Sequence, residues 1–168
     1  MKYNDRQVWT REKRPVTMSQ SSFTYVIYIH ATAEEVWNGL VDPDVTRRYW
    51  FHENISDWEP GSEWLHRRTD SEGTLDIVGQ VYESDPPYRL VLSWAPPEAT
   101  EQPIRISRVS FDLSEQDDWP YGPWVGLRVL DSELEPDSEM LRSITFGWPA
   151  VFSGLKTAIE SPDVFSSD

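Results

Sequence analysis

The feature that most constrains the fold is the last long segment of the chain, Ser138–Glu160. Strand-like segments precede it, separated by turns, and short connections predict that they pair antiparallel. Only Ser138–Glu160 is long enough to cover the apolar face of such a sheet. We therefore predict an α+β fold in which a curved antiparallel sheet wraps around a long C-terminal helix. Apolar residues at steps of three and four support the helix: Leu141, Ile144, Trp148, Val151, Phe152, Leu155 and Ile159.

The other elements follow from periodicity and turn residues. Phe23–His30 alternates in the manner of a strand, and Thr32 with Glu35 forms a capping box that predicts a helix over 33–41. Pro149 predicts a kink or a restart in the last helix. Further predicted elements are a short helix at 43–49, a turn-rich connection at Ile55–Gly61, and strands at Glu63–Arg68, Leu75–Glu83, Arg89–Trp94, Ile104–Leu113 and Trp124–Leu130.

The chain length and charge limit the classes of partner. At 168 residues, one domain is expected, and we place it at 23–162, between a flexible leader at 1–22 and a tail at 163–168. The 15 basic and 29 acidic residues give a net charge of −14, which disfavours nucleic acid and anionic membranes as partners. We interpret the acidic clusters Glu34-Glu35, Asp117-Asp118 and Asp131–Glu139 as solvated surface. No apolar run is long enough for a membrane span, and we expect a cytoplasmic protein.

Several stretches of the chain resemble a known family. They are FTYVIYIHATAEEVWNGLVDPDVTRRYW, DWEPGSEW, GQVYESDPPYRLVLSW, SRVSFDL and GWPAVFSGLKTAIE, in this order between residues 23 and 162. The chain resembles the helix-grip (SRPBCC) superfamily, which includes Bet v 1-like and START-like lipid-binding domains. Within it, the chain is most similar to the activator of Hsp90 ATPase homologue 1-like branch. This resemblance implies a cavity between the sheet and the C-terminal helix.

Five of the nine tryptophans are candidates to line such a cavity. An apolar pocket with a few polar groups is the usual form of a small-molecule site, but aromatic stripes more often belong to a packed core. We expect Trp50, Trp58 and Trp64 to lie at the entrance and to contact a ligand first. The predicted ligand-binding residues are Trp50, Trp58, Trp64, His66, Tyr82, Trp94, Phe111, Trp148 and Phe152, and Val109 and Leu127 are further candidates to line the cavity.

His52 and His66 are the candidates for acid–base catalysis, whereas His30 is interpreted as an exposed residue at a strand end. Arg67, Arg105 and Arg128 would need a carboxylate or an anionic ligand if they were buried, but exposure is expected. The chain has no cysteine and no histidine pair at metal-ligand spacing, so no metal and no cofactor is predicted.

Three hypotheses for function remain open. The first is a binding protein for a small apolar or aromatic molecule, without catalysis. The second is an enzyme of the cyclase or hydrolase type that uses His52 or His66 in the same cavity. The third is an interaction or stress-response protein, with Hsp90 as a chaperone partner or a second copy of the chain in a homodimer. The Asp117–Pro123 turn, with its unusual content of Trp, Pro and Asp, has no predicted role.

Overall fold

The structure is a computed structural model that describes residues 20–99, 101 and 105–165. Most of the predicted leader therefore lies outside the described residues. The main elements, in chain order, are β1 (Ser21–Ile29), α1 (Ala33–Val41), α2 (Pro43–Tyr49), β2 (His52–Ser56), β3 (Glu63–Arg68), β4 (Leu75–Asp85), β5 (Arg89–Trp94), β6 (Ser107–Glu115), β7 (Val125–Leu134) and α3 (Glu139–Glu160). Short 3-10 turns lie at Pro97–Ala99 and Pro162–Phe165.

The seven strands form one antiparallel sheet in the order β1-β7-β6-β5-β4-β3-β2. All strands after the first pair with their neighbours in sequence, and β1 closes the order by pairing with β7. The helix α3 packs on the inner face of the sheet and also contacts α1 and α2. This confirms the predicted fold, with its curved sheet, its long C-terminal helix and its two short helices after the first strand.

Local sequence explains how the helices begin. Thr32 caps α1 and accepts a hydrogen bond from the Glu35 amide, while the Glu35 carboxylate accepts one from the Thr32 amide, which confirms the predicted capping box. Ser138 caps α3 in a similar way through the Leu141 amide. Among the described residues, no helix is both long and apolar enough to cross a membrane.

Some sequence predictions differ from the structure. The predicted turn-rich connection at Ile55–Gly61 begins within a strand, β2, whose sequence HENIS is too short and polar to show alternation. The helix α3 is continuous through Pro149, so of the two predicted alternatives the restart is wrong. The strand β7 continues to Leu134, four residues beyond the predicted end at Leu130, and β6 begins at Ser107 rather than at residue 104.

Candidate functional site

The space between the sheet and α3 is filled by aromatic rings. We call this group the aromatic cluster, and it consists of Trp50, Trp64, His66, Trp94, Phe111, Trp148 and Phe152. The Trp94 ring lies near its centre, with ring centroids 5.1 Å from Trp64 and 5.0 Å from Trp148. Edge-to-face and tilted pairs at such distances are the favourable geometry for aromatic side chains. Seven of the nine predicted ligand-binding residues therefore lie together, but they pack against each other and not around an open cavity.

The remaining gap inside this cluster has a volume of about 10 Å³, close to the minimum for one water molecule. Trp50, Trp58 and Trp64 all line it. Trp64 is fully buried, however, so the prediction that it lies at an entrance is wrong. Val109 and Leu127 are also buried in the core.

Tyr82 does not belong to this interior. Its side chain is 40% exposed, and the Arg108 guanidinium lies 4.6 Å from the centre of its ring. Arg108 alternates with the inward residues of β6, so this cation–π pair lies on the outer face of the sheet. The prediction that Tyr82 lines the cavity is therefore wrong.

The two candidate catalytic histidines stack on each other, with ring centroids 4.0 Å apart and planes 2° from parallel. His66 is 3% exposed, and its Nδ1–H donates to Asn54 Oδ1 at 2.6 Å. The Asn54 amide nitrogen donates in turn to Leu40 O, which fixes its oxygen as the acceptor. Burial, and then the nearby His52, lowers the pKa of His66 from 6.5 to about 3, so this ring is neutral.

Both ring nitrogens of His52 face acceptors. Nδ1 lies 2.8 Å from Trp50 O, and Nε2 lies 2.9 Å from Asp76 Oδ2. A carbonyl and a carboxylate only accept, so the doubly protonated ring satisfies both bonds. Although burial alone would raise the pKa of Asp76, hydrogen bonds from Arg68 and His52 hold it below its usual value. This arrangement leaves no free nitrogen on His52 to act as a base.

Asp76 owes its position to a β-bulge. His66 pairs with Ile77, whereas Arg67 pairs with Leu75, so Asp76 is the extra residue on β4. Its carboxylate reaches His52 on β2 and, on its other side, borders an open pocket.

That pocket, which we call the end pocket, lies between the first turns of α3, the end of β7 and the start of β6. Its volume is about 690 Å³, within the range of small-molecule sites. Its walls are Asp76, Ile77, Pro96, Glu98, Arg105, Ser107, Glu133, Leu134, Glu135, Pro136, Asp137, Ser138, Glu139, Met140 and Ser143. None of the predicted ligand-binding residues lines it.

Behind the end pocket lies a set of buried polar atoms without hydrogen bonds: Ser107 Oγ, both carboxylate oxygens of Asp131, and Trp148 Nε1. Asp131 is 0% exposed, and Ser107 is its diagonal neighbour on the inner face of β6 and β7. Burial raises the pKa of Asp131 from 3.8 to about 7. The Ser107 hydroxyl and the Trp148 N–H are close enough to offset part of this increase, although neither meets the geometry of a normal hydrogen bond.

Asp131 contradicts the interpretation of Asp131–Glu139 as solvated surface. A signal for it was present, because Val125, Leu127 and Val129 alternate as inward residues and position 131 continues this face. The predicted strand ended at Leu130, so position 131 was not assigned to this inward face. In the part of the chain that the structure describes, no group of three or more His, Cys, Asp or Glu side chains is arranged to hold a metal ion.

Trp119 and Trp124, which the sequence left unexplained, form an outer aromatic cluster with Tyr28 and His30. The rings of Trp119 and Tyr28 are tilted with centroids 4.7 Å apart, and Trp124 stacks on His30 at the same centroid distance. His30 is exposed at the end of β1, as predicted. Arg67 and Arg128 are exposed, as predicted, whereas Arg105 is partly buried, and each of the three lies within 4 Å of a carboxylate.

Comparisons with known proteins agree with this architecture. The family model described as "Activator of Hsp90 ATPase homolog 1-like protein" matches residues 30–160. CalU16 from Micromonospora echinospora is 24% identical over 85% of this chain and 78% of its own, with a TM-score of 0.63. The Aha1 dimer from Colwellia psychrerythraea is 18% identical over 84% of this chain and 97% of its own, with a TM-score of 0.65.

A third solved structure, DynU16, is described as a protein of the dynemicin biosynthetic locus. It is 18% identical over 84% of this chain and 48% of its own, with a TM-score of 0.64. A search of curated proteins found no match. These structural likenesses, all below 25% identity, show the fold alone. The family model, however, spans well over half of the chain, and the chain therefore belongs to the activator of Hsp90 ATPase homologue 1-like family, on a helix-grip fold.

Proposed function

We propose that this protein binds a small organic molecule in the end pocket. The observation that carries the proposal is the Ser107 hydroxyl, which lines the pocket, is 3% exposed and has no hydrogen-bond partner. Buried polar groups in folded proteins are nearly always paired, so such a group at the wall of a cavity is a natural contact for a ligand. Leu134, Met140 and Ile77 supply apolar wall for the body of the molecule.

The geometry favours binding over catalysis. Both nitrogens of His52 are engaged, and His66 is buried among aromatic rings with its Nδ1–H held by Asn54. A general base needs a free lone pair within reach of the substrate. A cyclase or hydrolase activity that depends on His52 would require its two contacts to break. One that uses the remaining lone pair of His66, on Nε2, would require a substrate to reach a ring that is 3% exposed.

Blocking the end pocket should abolish binding. We expect Ser143→Trp, which places an indole in the pocket from the exposed side of α3, to remove the thermal stabilisation produced by hits from a small-molecule screen. Thr145→Trp is the matched control, because it lies on the same helix, is exposed and does not line the pocket. Native mass spectrometry of both variants checks the stoichiometry. A screen without hits, or hits that Ser143→Trp leaves unchanged, would contradict the proposal.

Self-association is a second candidate, because the outer aromatic cluster leaves large apolar side chains in solvent. Tyr28 and Trp119 are about 40% exposed and Tyr121 is 90% exposed, and one structural relative is described as a dimer. We expect a dimer in sedimentation equilibrium that Trp119→Ser weakens by about tenfold, because buried tryptophans dominate interface energies. Phe146→Ser, at an exposed position on α3, is the control. A monomer at all concentrations would exclude this candidate. An Hsp90 partner stays a prediction, to be tested by a pull-down with the chaperone.

A further inference from the structure

The end pocket is strongly acidic. Six carboxylate side chains line it: Asp76, Glu98, Glu133, Glu135, Asp137 and Glu139. The first three are paired with Arg68, Arg105 and Arg108, respectively. The last three make no ion pair among the described residues, so they keep their negative charge at the rim.

Positive charge at this site is too small to balance the rim. Arg105 is the one basic side chain among the described residues of the wall, and it lies 3.5 Å from Glu98. The first turn of α3 also borders the pocket, and a helix N-terminus contributes about half a positive charge. Three unpaired carboxylates outweigh that half charge, so an anionic ligand would be repelled.

A buried carboxyl next to the pocket is a second, independent indication that the site favours positive charge. Asp131 is completely buried, and neither of its carboxylate oxygens has a hydrogen-bond partner. Burying a carboxyl in this state costs folding free energy, and a group that supplies the missing hydrogen bonds and opposite charge removes the cost. Asp131 does not line the pocket itself, but it is the diagonal neighbour of Ser107, which does.

From these contacts we infer that the end pocket takes a cationic organic molecule, an amine whose ammonium group is held by Ser107, next to the buried Asp131, and whose apolar body lies against Leu134 and Met140. This inference rests on the proposed function and adds the chemical class of the ligand. The Ser107 hydroxyl accepts a hydrogen bond from the ammonium group while it donates its own proton to Asp131. The rim carboxylates attract the cation towards the pocket.

Binding also changes the state of Asp131. Burial favours its neutral form in the free protein, whereas an ammonium group at Ser107 favours the carboxylate. Asp131 is completely buried, so this charge pair is screened less by water than a pair on the surface.

Three ligands with one skeleton test the inference: naphthalene carrying an aminomethyl, a hydroxymethyl or a carboxylate group. Calorimetric titration of the full chain at low salt should show the amine binding about tenfold or more tightly than the alcohol, with the carboxylate weakest. Asp131→Asn should weaken the amine about tenfold and change the alcohol less than about twofold, because the amide keeps the shape but removes the charge. Glu34→Gln, an exposed change on α1, controls for general attraction to an acidic protein.

The outcomes separate the inference from the proposed function. Equal affinity of amine and alcohol, or tightest binding of the carboxylate, overturns the cationic ligand and leaves a small-molecule site standing. The cationic ligand is also overturned if Glu34→Gln reduces the preference for the amine as much as Asp131→Asn does, because the attraction would then come from the net charge of the protein. Binding of none of the three contradicts both proposals. Binding of the amine that Ser143→Trp abolishes supports both.

Discussion

Asp131→Asn is expected to make the protein more stable at pH 8, by about 2 to 4 kcal/mol, when urea unfolding is measured without ligand. The physical reason is the buried carboxyl, whose pKa is raised by burial from 3.8 to about 7. Above pH 7 the native protein must hold an unpaired charge in its core, whereas the asparagine variant does not. Most substitutions of buried residues destabilise, so a gain of this size is distinctive.

The shifted pKa values of Asp131 and His66 determine how the stability of the folded protein changes with pH. Between pH 3.8 and about 7 the unfolded chain releases the Asp131 proton that the folded chain keeps, so the contribution of this group is full at low pH and is lost as pH rises. His66 acts in the opposite direction. Its pKa is lowered from 6.5 to about 3, so its contribution is full above pH 6.5 and is lost as pH falls.

The advantage of Asp131→Asn should therefore shrink to less than about 1 kcal/mol at pH 4, where Asp131 is neutral in the native protein as well. Asp57→Asn serves as a control, because Asp57 is an exposed acid near the edge of the sheet, and its effect should stay within about half a kcal/mol at both pH values. If Asp131→Asn were less stable than the native protein at pH 8, the carboxylate would have a partner, and the argument for an unmet contact would fail.

Gly79→Ala is expected to have the largest destabilising effect, about 3 kcal/mol or more. Gly79 lies on β4 beneath the hydrogen bond that the Trp64 indole donates to Ser93 O, with a length of 2.8 Å. A Cβ at position 79 would lie 2.1 Å from Ser93 O and 2.3 Å from Trp64 Nε1. The oxygen belongs to the backbone of β5, so space can be made only by separating two strands or displacing a fully buried indole.

Gly147→Ala is the matched control for this change. It also adds one methyl group, but on α3, where nothing lies within 4 Å of the new carbon. Replacing glycine within a helix should raise stability by about 0.5 to 1 kcal/mol. Thermal unfolding of both variants is the measurement. A Gly79→Ala protein as stable as the native one would show that the Trp64 contact is not rigid.

The sequence predicted the fold well because each of its main elements has a clear period. The alternation of Phe23–His30 and the stripe on Ser138–Glu160 are long enough to identify a strand and a helix. The strand β2 was missed because a five-residue polar segment shows no period, and its pairing with β3 depends on contacts distant in sequence.

The site was harder to predict, since it depends on packing. Periodicity places Trp94 and Trp148 inside but does not determine whether their rings leave a cavity or fill it. The end pocket is formed where the β7–α3 loop lies near the start of β6, and no sequence pattern predicts that these two segments come together. The burial of Asp131 could have been predicted from the sequence, because this acidic residue lies at an inward position of a strand. Such a local inconsistency is typical of a binding site.

The pairing of β1 with β7 has a consequence for the protein as it is synthesised. Ile29 pairs with Val125 and Ser21 with Leu134, so roughly a hundred residues must follow β1 before its partner leaves the ribosome. At about 5 to 20 residues per second, β1 waits about 5 to 20 seconds. Its sequence SSFTYVIYI contains no charge and no proline, and such a strand is a ready template for other chains while it is unpaired. Lys156, which donates a hydrogen bond to Tyr28 O once α3 has packed on the sheet, is synthesised later still. Aggregation during expression should therefore depend on the rate of translation.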